Sequence, residues 1–176
     1  LSLQSCSDSV LSRMHRKYDT ARYAESVRLL HEYFPGCAVT TDLIVGFPGE
    51  TEGEFEQSLA FVSRCGISMF HIFPYSRRSG TPAAKMPDQI PRSVKETRAA
   101  RAAQVAAALE EGYHEALRGS VQQVLFEQLE DGLWAGHAMN YVKVYLKDSR
   151  DLNNHILPVR ITELCRDGVL GEPASE

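Results

Sequence analysis

Residues 39–51 read VTTDLIVGFPGET, and the rest of the chain is arranged around how that stretch folds. Val39, Leu43, Ile44, Val45 and Phe47 form an apolar, partly β-branched run, which predicts a strand covered on both faces. Gly46, Pro48 and Gly49 break it, and the two glycines would let a ligand approach the backbone closely. Thr51 with Glu54 is a capping-box pair that opens a helix through Phe55, Leu59, Phe61 and Val62. Carboxyl ends of strands are where α/β architectures bind ligands, so residues 46–50 are the first candidate site.

Working outward, residues 1–5 read as a short strand. Ser7 and Asp8 start a helix with Val10, Leu11 and Met14 on one face. A second helix spans 20–33, with Tyr23, Val27, Leu30 and Phe34 at helical spacing, and Pro35-Gly36 ends it. On the other side, Gly66 closes the helix after the opening strand, and 67–75 (ISMFHIFPY) is a third strand, again apolar on both faces. Strands that recur about every 30 residues between helices indicate a parallel sheet with helical crossovers. Three strands are too few for a parallel domain with covered edges, and the chain opens on Leu1. The expectation is the carboxyl-terminal half of something larger, with self-association through the exposed edge and apolar faces.

Residues 76–91 (SRRSGTPAAKMPDQIP) are expected to run extended as a linker. An alanine-rich helix over 92–118 follows, with a stripe of Val105, Leu109, Tyr113 and Leu117, and Gly119 stops it. From Val121 the period becomes that of strands. VQQVLFEQL, a turn at Glu130-Asp131-Gly132 and LWAGHAM form a hairpin. Residues 141–147 alternate, with Val142, Val144 and Leu146 on one face and Tyr141, Lys143, Tyr145 and Lys147 on the other. Strands at 156–164 and 168–171 complete five in about 55 residues, the pattern of a small closed barrel of the oligonucleotide-binding sort. The domain reading is 1–76, then a basic linker and long helix at 77–118, then the barrel at 119–176.

The 176 residues carry a net charge of −4, which argues against a general nucleic-acid coat. No apolar run approaches membrane-spanning length and no signal peptide opens the chain. Cys6, Cys37, Cys65 and Cys165 are too far apart in sequence for a local metal pattern, and read as reduced thiols in a cytoplasmic protein. Residues 4–8 could hold a ribose or carboxylate at a helix start, or simply cap the helix. Thr40, Thr41 and Asp42 interrupt a buried strand and need partners or a ligand. His71 reads as a core histidine. Between positions 77 and 101, Arg77, Arg78, Lys85, Arg92, Lys95, Arg98 and Arg101 face only Asp88 and Glu96, either a solvated face or a phosphate-contacting patch. From Gly119 on, 5 basic residues oppose 9 acidic ones. RNA contact there would need a local face, and the row Tyr141, Lys143, Tyr145, Lys147 is the candidate.

LSLQSCSDSVLSRMHRKY, TTDLIVGFPGETEGEFEQSL, HIFPYSRRSGTPAAKMPDQIP, NYVKVYL and VRITEL together resemble the radical S-adenosylmethionine methylthiotransferases, over essentially the whole chain. Ser2, where the isopentenyladenosine-type enzymes usually have proline, and the HxFPYS form at residues 71–76 resemble the threonylcarbamoyladenosine-type subgroup. The resemblance implies α/β plus all-β architecture: the second half of a radical-SAM partial (β/α)6 barrel, then an RNA-binding TRAM barrel. It implies S-adenosylmethionine contacts at Gln4, Ser5, Asp42, Val45, Gly46 and Phe47, and an RNA path along Arg77, Arg78 and Lys85. The implied reaction adds a methylthio group at C2 of an adenosine beside the tRNA anticodon, with S-adenosylmethionine and two [4Fe–4S] clusters. The family's CxxxCxxC motif and second-cluster cysteines are not in this sequence, so the chain itself is expected to hold no cluster, no catalytic residue and no activity. Cys6 stands where the family commonly has glycine and is not read as a cluster ligand. The alternatives are an isopentenyladenosine-type or ribosomal-protein methylthiotransferase, or an RNA-binding module without catalysis.

Overall fold

The computed structural model describes residues 1–174, which pack as two compact units, one of residues 1–110 and one of the described residues from 111 on. Most of the expected linker-and-helix segment therefore packs within the first unit instead of standing apart.

In the first unit, α1 (Asp8–Arg13), α2 (Thr20–Tyr33) and α3 (Glu52–Val62) accompany a parallel pair, β1 (Thr40–Val45) and β2 (Met69–Pro74). The helix starts follow the chemistry of their caps. Asp19 accepts from the Arg22 amide, and Thr51 and Glu54 close a full capping box. Residues 1–5 line the edge of β1, with the Gln4 amide donating to Asp42 O and Gln4 O accepting from Ile44, both at 2.9 Å. They make one bridge and no regular strand, because Gln4 takes φ +73.

The strands are not covered on both faces. Thr41, Leu43 and Val45 are buried with Leu3, Phe55, Val62 and Phe70, whereas Asp42 and Ile44 are half-buried and His71 and Phe73 are exposed. Helices cover one face and the other stays open, so the apolar run of β1 is split by alternation. His71 is thus on the surface and not in the core. Thr41 is structural: its hydroxyl donates to Leu1 O and accepts from the Leu3 amide.

The linker is not extended. Thr81 caps α4 (Pro82–Lys85), with proline in its first turn, and Gln89 Nε2 donates to Ala83 O and Met86 O. α5 runs Arg92–Ala116, and its buried line is Arg98, Ala102 and Ala106, flanked by half-buried Val105 and Leu109. Small alanines let this helix approach the first unit's core closely, which a stripe count of large apolar residues overlooks.

The second unit is a closed barrel in the order β3-β4-β5-β7-β6: β3 (Val121–Glu130), β4 (Leu133–Ala138), β5 (Lys143–Leu146), β6 (Ile156–Cys165) and β7 (Gly168–Pro173). Asp131 and Gly132 both have positive φ, 48° and 81°, as a two-residue hairpin turn with matching twist requires. Leu117, Val124, Phe126, Val144, Leu146, Val159, Ile161 and Val169 fill the interior. The expected face of four alternating residues does not form. Tyr141 lies before β5 at φ +64 and is 89% exposed. Tyr145 is 1% exposed, held under Lys143 and Arg166, which each approach its ring to 5.1 Å. Its hydroxyl donates to Asp167 and Glu130, so this strand is covered on both sides and its alternation does not separate inside from outside.

Candidate functional site

The loop after β1 is locked by a buried carboxylate. Gly46, at φ +73, donates its amide to Glu50 Oε2 at 2.6 Å, and the Glu50 amide returns to Phe47 O at 2.9 Å. Arg98 Nη1 donates to the same carboxylate oxygen at 2.8 Å and to Glu50 O at 3.0 Å. The pair is shut off from water, with side chains 2% (Glu50) and 6% (Arg98) exposed. Burial pushes the Glu50 carboxyl above its ordinary range, against the pull of the Gly46 amide and of Arg98. Arg98 also reaches Glu52, and Arg101 bridges Glu52 and Glu56.

On the other side of the loop, Arg13 donates to Glu54 and to Gly49 O. Burial raises the Glu54 carboxyl, but hydrogen bonds from Arg13, Ser9 and the Thr51 amide outweigh it and hold the group down at about 2. The space over Gly46, expected to admit a ligand, is taken by Lys95: a Cβ on Gly46 would stand 2.2 Å from Lys95 Cγ. Lys95 Nζ donates to Tyr75 O at 2.8 Å. In the sequence Glu50 is only the end of the candidate 46–50 stretch, and Lys95 and Arg98 are only members of a basic patch; none is read there as part of a lock on this loop. Glu50 could have been found as the acid that closes the GFPGE turn, but nothing local marks Arg98 inside a charged helix.

The open face of the sheet forms a groove of about 470 Å³ lined by Gln4, Asp42, Ile44, Phe73, Tyr75 and Arg78, among others. A smaller recess of about 230 Å³ is lined by Ile44, Phe47, Tyr75 and Met86, with Arg13 and Thr81. Of the expected cofactor residues, the structure thus gathers Gln4 and Asp42 in the groove and Phe47 at the recess. Phe47 packs edge-on against Tyr75, with centroids 5.4 Å apart. Ser5 and Val45 are fully buried behind it: Ser5 Oγ accepts from the Ser7 amide and Val45 O from the Tyr75 amide. They support the site and offer no side chain to it. The Tyr75 hydroxyl is buried without a partner, on a side chain that lines both cavities.

The basic cluster sorts into two groups. Arg92, Arg98 and Arg101 are ion-paired and Lys95 is bound to Tyr75 O. Arg77 keeps its Nε on Ala84 O, while Arg78 and Lys85 make no ion pair among the described residues. In the barrel, Lys143 is paired with Glu130 and Asp167, and only Tyr141 and Lys147 of the four expected RNA contacts are open to solvent. All four cysteines are free thiols, and burial pushes the Cys6 thiol strongly up. Among the described residues no group of three or more His, Cys, Asp or Glu could hold a metal ion, and no helix is long and apolar enough to cross a membrane. The cysteines present do not fit a [4Fe–4S] cluster, whereas the mixed polar and apolar lining of the groove and the recess fits an organic cofactor or substrate.

The radical SAM superfamily model matches residues 1–62. Across 164 residues the chain is 39% identical to the threonylcarbamoyladenosine tRNA methylthiotransferase of Bacillus subtilis, covering 90% of this chain and 36% of that protein. Across 165 residues it is also 39% identical to a tRNA-2-methylthio-N(6)-dimethylallyladenosine synthase of Symbiobacterium thermophilum, covering 92% of this chain and 35% of that protein. The chain spans a little over a third of the length of these curated relatives.

Proposed function

We infer, starting from a chain that is a relative of the radical SAM tRNA methylthiotransferases, that it forms the cofactor-facing and RNA-facing part of an enzyme that adds a methylthio group to C2 of threonylcarbamoyladenosine next to the tRNA anticodon. The observation that carries this is the 39% identity across 90% of the chain to a protein of that name, together with the HIFPYS segment at the groove. In such an enzyme, S-adenosylmethionine and two [4Fe–4S] clusters supply the radical and the sulfur.

The work of this chain's own residues is binding and orientation. Gln4 and Asp42 present polar groups along the groove, and Phe47 with Tyr75 offers apolar wall for an adenine. Glu50 and Arg98 hold the Gly46–Phe47 backbone in place from behind. Arg77, Arg78 and Lys85 lie along the RNA path, and the barrel acts as a TRAM-type RNA module through Tyr141 and Lys147. Lys143 and Tyr145 support that surface from within and do not contact RNA directly. Lacking cluster ligands, the chain by itself is inactive. Anaerobic reconstitution with iron and sulfide leaves no charge-transfer absorbance in the purified chain, and a stable band would refute this.

The second reading is the dimethylallyladenosine-type enzyme, favoured by the equal identity to the Symbiobacterium relative. Mass spectrometry of tRNA nucleosides from a strain lacking the whole gene separates the two: only the methylthio form of threonylcarbamoyladenosine should disappear. Self-association belongs to the same proposal, since Leu1, Tyr33 and Phe34 are exposed around an apolar recess of about 370 Å³. A monomeric mass by light scattering at high concentration would count against it.

A further inference from the structure

His31 and Cys37 meet at the carboxyl end of α2, away from the residues discussed so far. His31, in the last turn of α2, has its Nε2 2.7 Å from Gly66 O. A carbonyl can only accept, so Nε2 carries the hydrogen of the neutral ring and leaves Nδ1 as a bare acceptor. That Nδ1 faces Cys37 Sγ at 3.9 Å. The thiol also has Leu30 O at 3.8 Å, but that carbonyl already accepts the Phe34 amide at 2.8 Å, so Nδ1 is the less committed acceptor. A glycine makes room for the ring: a Cβ on Gly66, at φ +78, would stand 3.1 Å from His31 Nε2 and 3.3 Å from its Cδ2. Cys37 is held in turn by its amide, which donates to Phe34 O at 3.1 Å. It is half-buried, whereas Cys6 is buried. Burial pushes the Cys6 and Cys65 thiols up, which makes them poor nucleophiles at neutral pH. Cys37 stands before the amino end of β1, and neither it nor His31 lines the groove or the recess.

We propose that Cys37 is a nucleophilic thiol and a modification site for small-molecule disulfides, with His31 as its base and Gly66 O as the group that sets the tautomer of the ring. A thiol, an imidazole acceptor within reach of it and a third group that orients the imidazole are the parts that activate a cysteine, and their distances shorten as the reaction begins. The Cys37 sulfur attacks one sulfur of the disulfide as the thiol proton passes to His31 Nδ1. A new S–S bond forms, the old one breaks, and the departing thiolate takes the proton from Nδ1. Cys37 is thereby oxidised to a mixed disulfide, and the other half of the reagent is reduced to a thiol. The assignment does not depend on the RNA-modifying reading.

Oxidised glutathione added to the purified full chain, with each of the four cysteines followed over time by peptide mass spectrometry, tests the assignment. Cys37 should form the mixed disulfide first, on the order of tenfold faster than Cys6 or Cys65. His31→Gln, whose amide can still donate to Gly66 O, should slow Cys37 on the order of tenfold and leave Cys165, in the other unit, at its parent rate. Loosening of the fold cannot imitate this result, because it would uncover thiols and speed them, Cys6 included. Cys37 no faster than Cys65, a His31→Gln rate equal to or above the parent's, or a slowing shared by Cys165 would each overturn the proposal. The imidazole would then be no more than a hydrogen-bonding tie between α2 and Gly66.

Discussion

In the first unit the Glu50–Arg98 pair is almost dry, and in the barrel Lys143 meets Glu130 and Asp167 with side chains 21%, 25% and 66% exposed. Both clusters hold a cation over an aromatic ring, Arg98 over Phe55 and Lys143 over Tyr145. Their electrostatics run in opposite directions. Burial drives the Glu50 carboxyl up, while hydrogen bonds from Lys143 and Gln128 draw the Glu130 carboxyl down. A desolvated pair is stabilised only as a pair, and losing one member strands the other charge; a wet cluster can re-solvate. The first arrangement fixes a loop at a strand end. The second clips the ends of β3 and β5 and the β6–β7 turn around a ring that closes the barrel wall.

The sharpest way to break this comparison is to delete one cation from each cluster. Arg98→Ala should cost the first unit about 3–5 kcal/mol, whereas Lys143→Ala should produce only a minor loss in the barrel. Denaturant titration of the two variants decides, and equal losses would mean that the buried pair is not dry in solution.

Two glycines extend the contrast. A Cβ at Gly136 would stand 2.1 Å from Leu125 O, a backbone atom that cannot move without opening the β3–β4 pairing. At Gly46 the obstacle is the flexible Lys95 side chain. Gly136→Ala should therefore destabilise by roughly 2–3 kcal/mol, and Gly46→Ala by about 1–2 kcal/mol, mainly from its left-handed backbone. Thermal unfolding in which Gly46→Ala proves the more damaging would reverse this ordering.

The pH response separates two acids of the same loop. Glu54 is depressed from 4.5 to about 2, so it stabilises the folded state above about pH 4.5, and that contribution is lost as pH falls through that window toward 2. Glu50 is raised, so its ionisation opposes folding, and its contribution becomes more favourable as pH falls through its folded value. Glu54→Gln should flatten the acid loss of the first unit between pH 5 and 3, read from urea midpoints, while Thr20→Ala, remote from the loop, should not.

Smallest of all, Thr51→Ala should cost about 1 kcal/mol through the α3 capping box. Amide exchange localised to the first turn of α3 would register it, and unaltered exchange there would argue that Glu54 caps the helix without help.

Much of the fold was legible because its signals are local. The Thr51–Glu54 capping box, the Asp131-Gly132 turn, the α2 limits and the five short strands each follow from neighbours within a few residues. The candidate site was legible in part. Gln4, Asp42 and Arg78 line the groove and Phe47 the recess, yet the lock that Glu50, Lys95 and Arg98 place on the loop, and the positions of Phe73 and Tyr75 on the groove, entered only with coordinates. Linker residues 76–91 were misread because proline and glycine content speaks of breaks, whereas Thr81 and Pro82 together start a helical turn.

The sequence by itself determined the order of elements, the turn and cap positions, the change of period at Val121 and the relationship to tRNA methylthiotransferases. Those depend on spacing and residue type along the chain. Only tertiary structure decided which face of β1 stays open, that Tyr145 is sealed beneath two cations, and that Arg98 leaves a row of solvated charges to neutralise Glu50, 48 positions away. Whether a charge is wet or dry depends on what distant segments bring to it, and no local pattern records that.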